Sequence, residues 1–152
     1  MIRSRAALSS LVLLACSGKA DWQAHDAGPL TIEFPCAPSR SAAVVKCTMS
    51  DGSEYALATV DKGILPEEEL AQIQEYLRTQ PKVEVLDDSG FPLKWRESRQ
   101  FRQVDSWLYY LDGKEYTASV EFVTPEPPAA AKKFFSSVKV APEERPDDAS
   151  DA

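Results

Sequence analysis

Apolar and polar positions along the chain follow two different periods, and the change between them divides it into elements. Leu30, Ile32 and Phe34 alternate with Thr31 and Glu33, the period of a half-buried strand, and Pro35 ends it. A second strand is expected over Ala42 to Met49, with Val45, Cys47 and Met49 on one face. A third follows from Glu54 to Val60, after the turn Ser50-Asp51-Gly52-Ser53. The period then becomes helical. Pro66 suits a first helical position, and Glu67, Glu68 and Glu69 complement the positive end of the helix dipole. Leu70, Ile73 and Leu77 recur at helical spacing with Tyr76 beside them, up to Pro81. This stripe predicts a helix packed on a core.

From Lys82 the strand period returns, through Val83 and Val85, Phe91 to Arg99, Val104 to Leu111 and Tyr116 to Val123. Asp112-Gly113 is a hairpin turn signal between the last two. Trp107, Tyr109 and Leu111 alternate with Leu108 and Tyr110, so that strand is apolar on both faces and belongs inside a sheet. After the Pro-rich break Thr124 to Pro128, a short helix is expected over Ala129 to Phe135, then Ser136 to Val140. Residues 17 to 29 show no sustained period and end in Gly28-Pro29, which reads as a tether or first turn. Ala141 to Ala152 is polar, acidic and Pro-containing, the composition of a disordered tail.

The first fifteen residues stand apart. Arg3 and Arg5 precede an apolar run from Ala6 to Ala15 with no acid, the layout of a secretory signal peptide. The run is about half of the roughly 20 residues that a helix needs to cross a bilayer. It is followed by Leu13-Leu14-Ala15-Cys16, which resembles the bacterial lipobox: an aliphatic residue at −3, a small one at −1 and cysteine at +1. The resemblance implies cleavage after Ala15 and a diacylglycerol thioether on Cys16. It makes the protein a lipoprotein held to a membrane by its acyl chains. Ser17 at +2 resembles the pattern of lipoproteins sent to the outer membrane, facing the periplasm. A location at the cell exterior, or secretion with an incidental cysteine, are the alternatives.

Removing residues 1–15 from the 152 leaves one domain of ordinary size, expected over residues 30–140 behind a tether at 16–29. The 24 acids then face about 15 basic residues, a net charge of about −9 that argues against nucleic acid and against adhesion to anionic lipid. With Cys16 set aside, Cys36 and Cys47 remain as an even pair in an exported chain. That favours a disulfide closing a short loop, with two buried thiols as the alternative. Zinc lacks ligands, because two thiols and the lone His25 fall short of the usual four.

Catalytic chemistry finds little purchase. A nucleophile needs an oriented base, and the single histidine lies at position 25, in the expected tether. No phosphate-binding glycine motif occurs, and no cofactor is expected. Carboxylate pairs suitable for acid–base work exist on paper at Asp87-Asp88 and Glu67-Glu68-Glu69. The first reads as a turn before Ser89-Gly90, the second as a helix start. Lys94, Arg96, Arg99 and Arg102 form the one basic concentration, with Trp95, Phe101 and Trp107 nearby. They are the candidate partner surface; otherwise they are the solvent face of a strand, paired with acids.

Several segments taken in order resemble one fold family. They are the strand ending Phe34-Pro35, the strand Glu54-Tyr55-Ala56-Leu57, the following helix, the hairpin at Leu108 to Gly113, and Lys133-Phe134-Phe135-Ser136-Ser137-Val138-Lys139-Val140. Together, over about residues 28 to 140, they resemble the PsbP-like sandwich, also seen in LpqN-type lipoproteins. Val138 stands where that family usually has an aromatic, and Cys36 follows Phe34-Pro35. The resemblance implies an α+β fold, an antiparallel sheet with helices packed against it. It also implies a role in binding or assembly, and transfers no site residue. The expected function is a non-catalytic module with an envelope protein partner. An envelope enzyme with a carboxylate site and a purely structural envelope component are its rivals.

Overall fold

The computed structural model describes residues 20–142. In chain order the elements are β1 (Gln23–Ala27), β2 (Leu30–Phe34), β3 (Ser39–Ser41), β4 (Val44–Thr48), β5 (Glu54–Asp61), α1 (Pro66–Thr79), β6 (Val83–Asp87), β7 (Leu93–Arg99), β8 (Arg102–Leu111), β9 (Lys114–Phe122), α2 (Ala129–Ser136) and β10 (Lys139–Val140). They form an α+β fold of two antiparallel sheets and two helices. The larger sheet has the order β3-β4-β5-β9-β8-β7-β6, the smaller β1-β2-β10.

Alternation decides the layers. Leu30, Ile32 and Phe34 of β2 are fully buried. They meet the face of the large sheet that carries Val45, Cys47, Tyr55, Leu57, Ala118, Val120 and Phe122, and α2 adds Phe134 and Phe135 to the same cluster. Phe134 packs edge-on against both Phe34 and Tyr55, with ring centroids 5.5 and 5.2 Å apart. The opposite face, with Leu93, Leu108 and Tyr110, lies on the side of α1. There the Tyr110 hydroxyl donates to the Ile64 carbonyl at 2.5 Å, just ahead of the helix. β8 runs between β7 and β9, as its two apolar faces require.

Two segments differ from the sequence reading. Residues 23–27, expected in a tether, form an edge strand registered on β2 from Gln23↔Phe34 to Ala27↔Leu30, through a turn with Gly28 at φ 74°. The pattern hid it because its half-buried positions are Gln23, His25 and Ala27. Backbone pairing rather than apolar burial holds it, and His25 sets its ring edge-on to Phe34 at 6.1 Å. Between the cysteines, Ser39–Ser41 pairs with β4, a strand whose residues are all exposed and so carry no period. The expected signal peptide, the candidate lipidation site Cys16 and the tail from residue 143 lie outside the described residues.

Cys36 and Cys47 are bonded, with Cα atoms 5.8 Å apart. Cys36 follows β2 and Cys47 lies in β4, so the bridge ties the small sheet to the large one. In the chain-entropy description a loop of this length contributes about 2–3 kcal/mol.

Candidate functional site

The register of β7 on β8 places the four basic residues. Lys94 and Arg96 point to the same face as Trp107 and Asp105, their cross-strand partners. Arg96 donates to both carboxylate oxygens of Asp105, Nε to Oδ1 at 2.6 Å and Nη2 to Oδ2 at 2.9 Å. This two-pronged bond fits guanidinium to carboxylate without distortion. Asp105 is buried, and its hydrogen bonds hold the Arg96 guanidinium above its ordinary pKa, against the opposing effect of desolvation. The Lys94 ammonium lies 3.9 Å from the centre of the Trp107 ring, and that ring also stacks on Phe135 at 4.8 Å. These two cations are therefore engaged in holding the sheet margin together.

Arg99 and Arg102 differ. They are the last residue of β7 and the first of β8, paired across a two-residue turn of Gln100 and Phe101. Each makes one long ion contact, Arg99 with Glu97 at 3.4 Å and Arg102 with Glu121 at 3.7 Å, and each side chain is about half exposed (56% and 52%). Between them Phe101 is 82% exposed, and nearby Val123 is 56% exposed. A depression of about 340 Å³ runs from this turn to Val123, Thr124 and Pro125. The basic concentration thus divides into a structural half on the strand and an accessible half around an aromatic tip.

The chain matches no family model and no curated protein. The reading of its surface therefore rests on the chemistry of its own side chains.

Of the acid pairs, Asp87 is the last residue of β6, paired with Lys94, and the turn expected from Asp87 begins only after it, at Asp88. Asp87 accepts from the Ser89 amide at 3.1 Å and its hydroxyl at 2.7 Å, which lowers its pKa, and Asp88 faces Arg78 at 3.8 Å. Glu67 and Glu68 are exposed at the helix start, whereas Glu69 is fully buried. Desolvation, then a hydrogen bond with Glu115 and the charge of Glu115, push its carboxyl up to about 7, with Lys62 opposing. Lys62 Nζ lies 3.4 Å from Glu115 Oε1. A carboxyl raised to that range could act as a general acid at neutral pH, but Glu69 is closed to any substrate.

A wider depression of about 610 Å³ lies at the other end of the large sheet, lined by Pro29, Pro66, Tyr110, Asp112 and Val140. Its tyrosine hydroxyl is already committed to Ile64. Among the described residues, no group of three or more His, Cys, Asp or Glu side chains could hold a metal ion. No helix among them is long and apolar enough to cross a membrane.

Proposed function

We propose that this chain is a lipid-anchored bacterial envelope protein whose domain is a binding or assembly module without catalytic activity. The observation that carries the reading is Leu13-Leu14-Ala15-Cys16 at the end of a basic-then-apolar leader, a few residues before Asp21, whose amide makes the first backbone hydrogen bond among the described residues. The Cys36–Cys47 bond is consistent with an oxidising compartment. Helices on opposite faces of an antiparallel sheet accord with a PsbP-like sandwich. Lipid on Cys16 supplies the attachment that an acidic domain cannot obtain from charge, and Ser17 favours the outer membrane, facing the periplasm.

The acid pair of Glu69 and Glu115 supports no enzymatic reading, because catalysis requires contact with a substrate and Glu69 is fully buried on the inner side of α1. Arg99, Arg102 and Phe101 are the residues through which the module meets its surroundings. Metabolic labelling with radioactive palmitate tests the anchor: the wild-type chain incorporates label and Cys16→Ala does not. Equal labelling of the two overturns the reading.

A further inference from the structure

The end of the large sheet that carries Phe101 is also the end at which the chain leaves the fold toward Cys16. The Asp21 amide donates to the Pro35 carbonyl at 3.0 Å, and the next residue, Cys36, is bonded to Cys47. Cys47 stands in one row of the sheet with Tyr55, Val120, Asp105 and Arg96. Arg99 and Arg102 lie three residues further along the same strands, about 10 Å nearer the end at the strand rise per residue. Phe101 lies beyond them. The β1–β2 turn marks the opposite end, since a Cβ on Gly28 would meet the Tyr116 hydroxyl at 3.8 Å.

Cys16 is five residues before Asp21, and a chain of that length spans at most about 18 Å. A lipid on Cys16 therefore holds this end of the domain close to the bilayer, and the hairpin tip projects past the point where the tether joins. We propose that the Phe101 tip is a second, membrane-contacting point, with the ring in the interfacial layer and Arg99 and Arg102 at the lipid phosphates. This rests on the lipid-anchor reading above.

The side chains suit that place. An aromatic ring partitions favourably into the interface, and arginine stems lie along apolar surface while their guanidiniums reach phosphate. The ion contacts of both arginines are single, long and half exposed, so a phosphate oxygen can replace them at little cost. One ring is too small to bind a protein to a membrane alone. With the domain already tethered, contact becomes intramolecular and needs little energy. Because the chain is acidic, the contact is with the phosphate of a zwitterionic headgroup and does not depend on anionic lipid. Its consequence is orientation: the end with the Asp112-Gly113 turn faces away from the membrane.

The test couples the chain from Cys16 onward, which keeps every described residue, through that cysteine to a maleimide lipid in phosphatidylcholine nanodiscs. Cys36 and Cys47 are bonded and do not react. Contact is thus read whether or not a cell acylates Cys16, and palmitate labelling decides acylation separately. Amide hydrogen exchange at residues 99–102 is expected to slow about tenfold relative to the uncoupled chain, with the turn at 112–114 unchanged. Phe101→Asp, coupled equally well, is expected to lose that slowing. Equal exchange with and without nanodiscs, slowing that survives in Phe101→Asp, or slowing at 112–114 instead would each overturn the proposal.

Discussion

Glu69 in the first turn of α1 and Glu115 on β9 share a buried site in which the charge of Glu115 disfavours that of Glu69, with the Lys62 ammonium beside Glu115. No donor among the described residues reaches either oxygen of Glu69. A proton on Glu69 that bridges to Glu115 gives one of those oxygens a partner. The seat of the helix on the sheet is therefore linked to pH.

The direction follows from the raised pKa. Between the ordinary 4.5 and about 7, the folded protein binds more protons at Glu69 than the unfolded chain does. The stabilisation is complete below 4.5, declines as pH rises, and is gone above about 7. Its size is on the order of 2 kcal/mol. Urea unfolding is expected to show a lower midpoint at pH 8 than at pH 5. Glu69→Gln, which keeps the shape without the charge, is expected to flatten that difference and raise the midpoint at pH 8. A midpoint in Glu69→Gln that falls with pH as steeply as in wild type would refute the linkage.

Arg96 and Asp105 are expected to behave as a structural pair. Asp105→Ala leaves a half-covered guanidinium without its acceptors and is expected to destabilise by about 3 kcal/mol. Arg96→Lys keeps the charge but loses the fork, and should cost only part of that. Arg99→Ala, at the exposed end of the same strand, should stay within about 0.5 kcal/mol. Denaturant midpoints of the three variants check the ranking, and a loss in Arg99→Ala equal to that in Asp105→Ala would contradict the division of the basic residues.

What the pattern of residues reveals depends on whether burial is apolar. β2, β5, β8 and β9 were legible because their inward positions are Leu, Ile, Phe, Val and Tyr. β1 was not, because Gln23 and His25 occupy its half-buried positions and backbone pairing does the holding. In α1 the stripe through Leu70, Ile73 and Leu77 implied core packing, yet Tyr76 beside it is 57% exposed. The inward line is Glu69, Ile73 and Leu77, spaced four apart, with Glu69 and Leu77 buried and Ile73 half-buried. Following that spacing back by one more turn would have singled out Glu69, which the habit of acids at helix starts concealed. Arg96 could not be separated from Arg99 without strand register, because both look alike until Asp105 is placed opposite one of them.

The Cys36–Cys47 bond joins the two sheets at a point where β3 contributes no buried side chain. Replacing both cysteines with serine is expected to cost about 3 kcal/mol. It should also loosen β1 and β2 ahead of the large sheet. Hydrogen exchange is the measurement. Amides of residues 23–34 should gain more exchange than those of β8 and β9, and uniform acceleration would mean that the bridge stabilises the whole domain without specially tying the small sheet.

Gly113 closes the β8–β9 hairpin at φ 76°, after Asp112 at φ 51°. The Gly113 carbonyl accepts from the amides of both Lys62 and Gly63 at 2.9 Å, so the hairpin also holds the segment leading from β5 to α1. A Cβ there would stand 3.4 Å from the Gly63 Cα, at a φ that side chains rarely adopt. Gly113→Ala therefore combines backbone strain with displacement of that segment, and is expected to destabilise by about 1–2 kcal/mol. Gly52→Ala serves as the comparison, because its φ of 83° carries similar strain while nothing lies within 4 Å of the added carbon. Thermal unfolding of the two should show the larger loss at Gly113. Because Lys62 lies beside Glu115, Gly113→Ala should also alter the pH dependence set by Glu69, whereas Gly52→Ala should leave it unchanged. Equal losses with unaltered pH profiles would show that the Gly63 approach adds nothing to the turn.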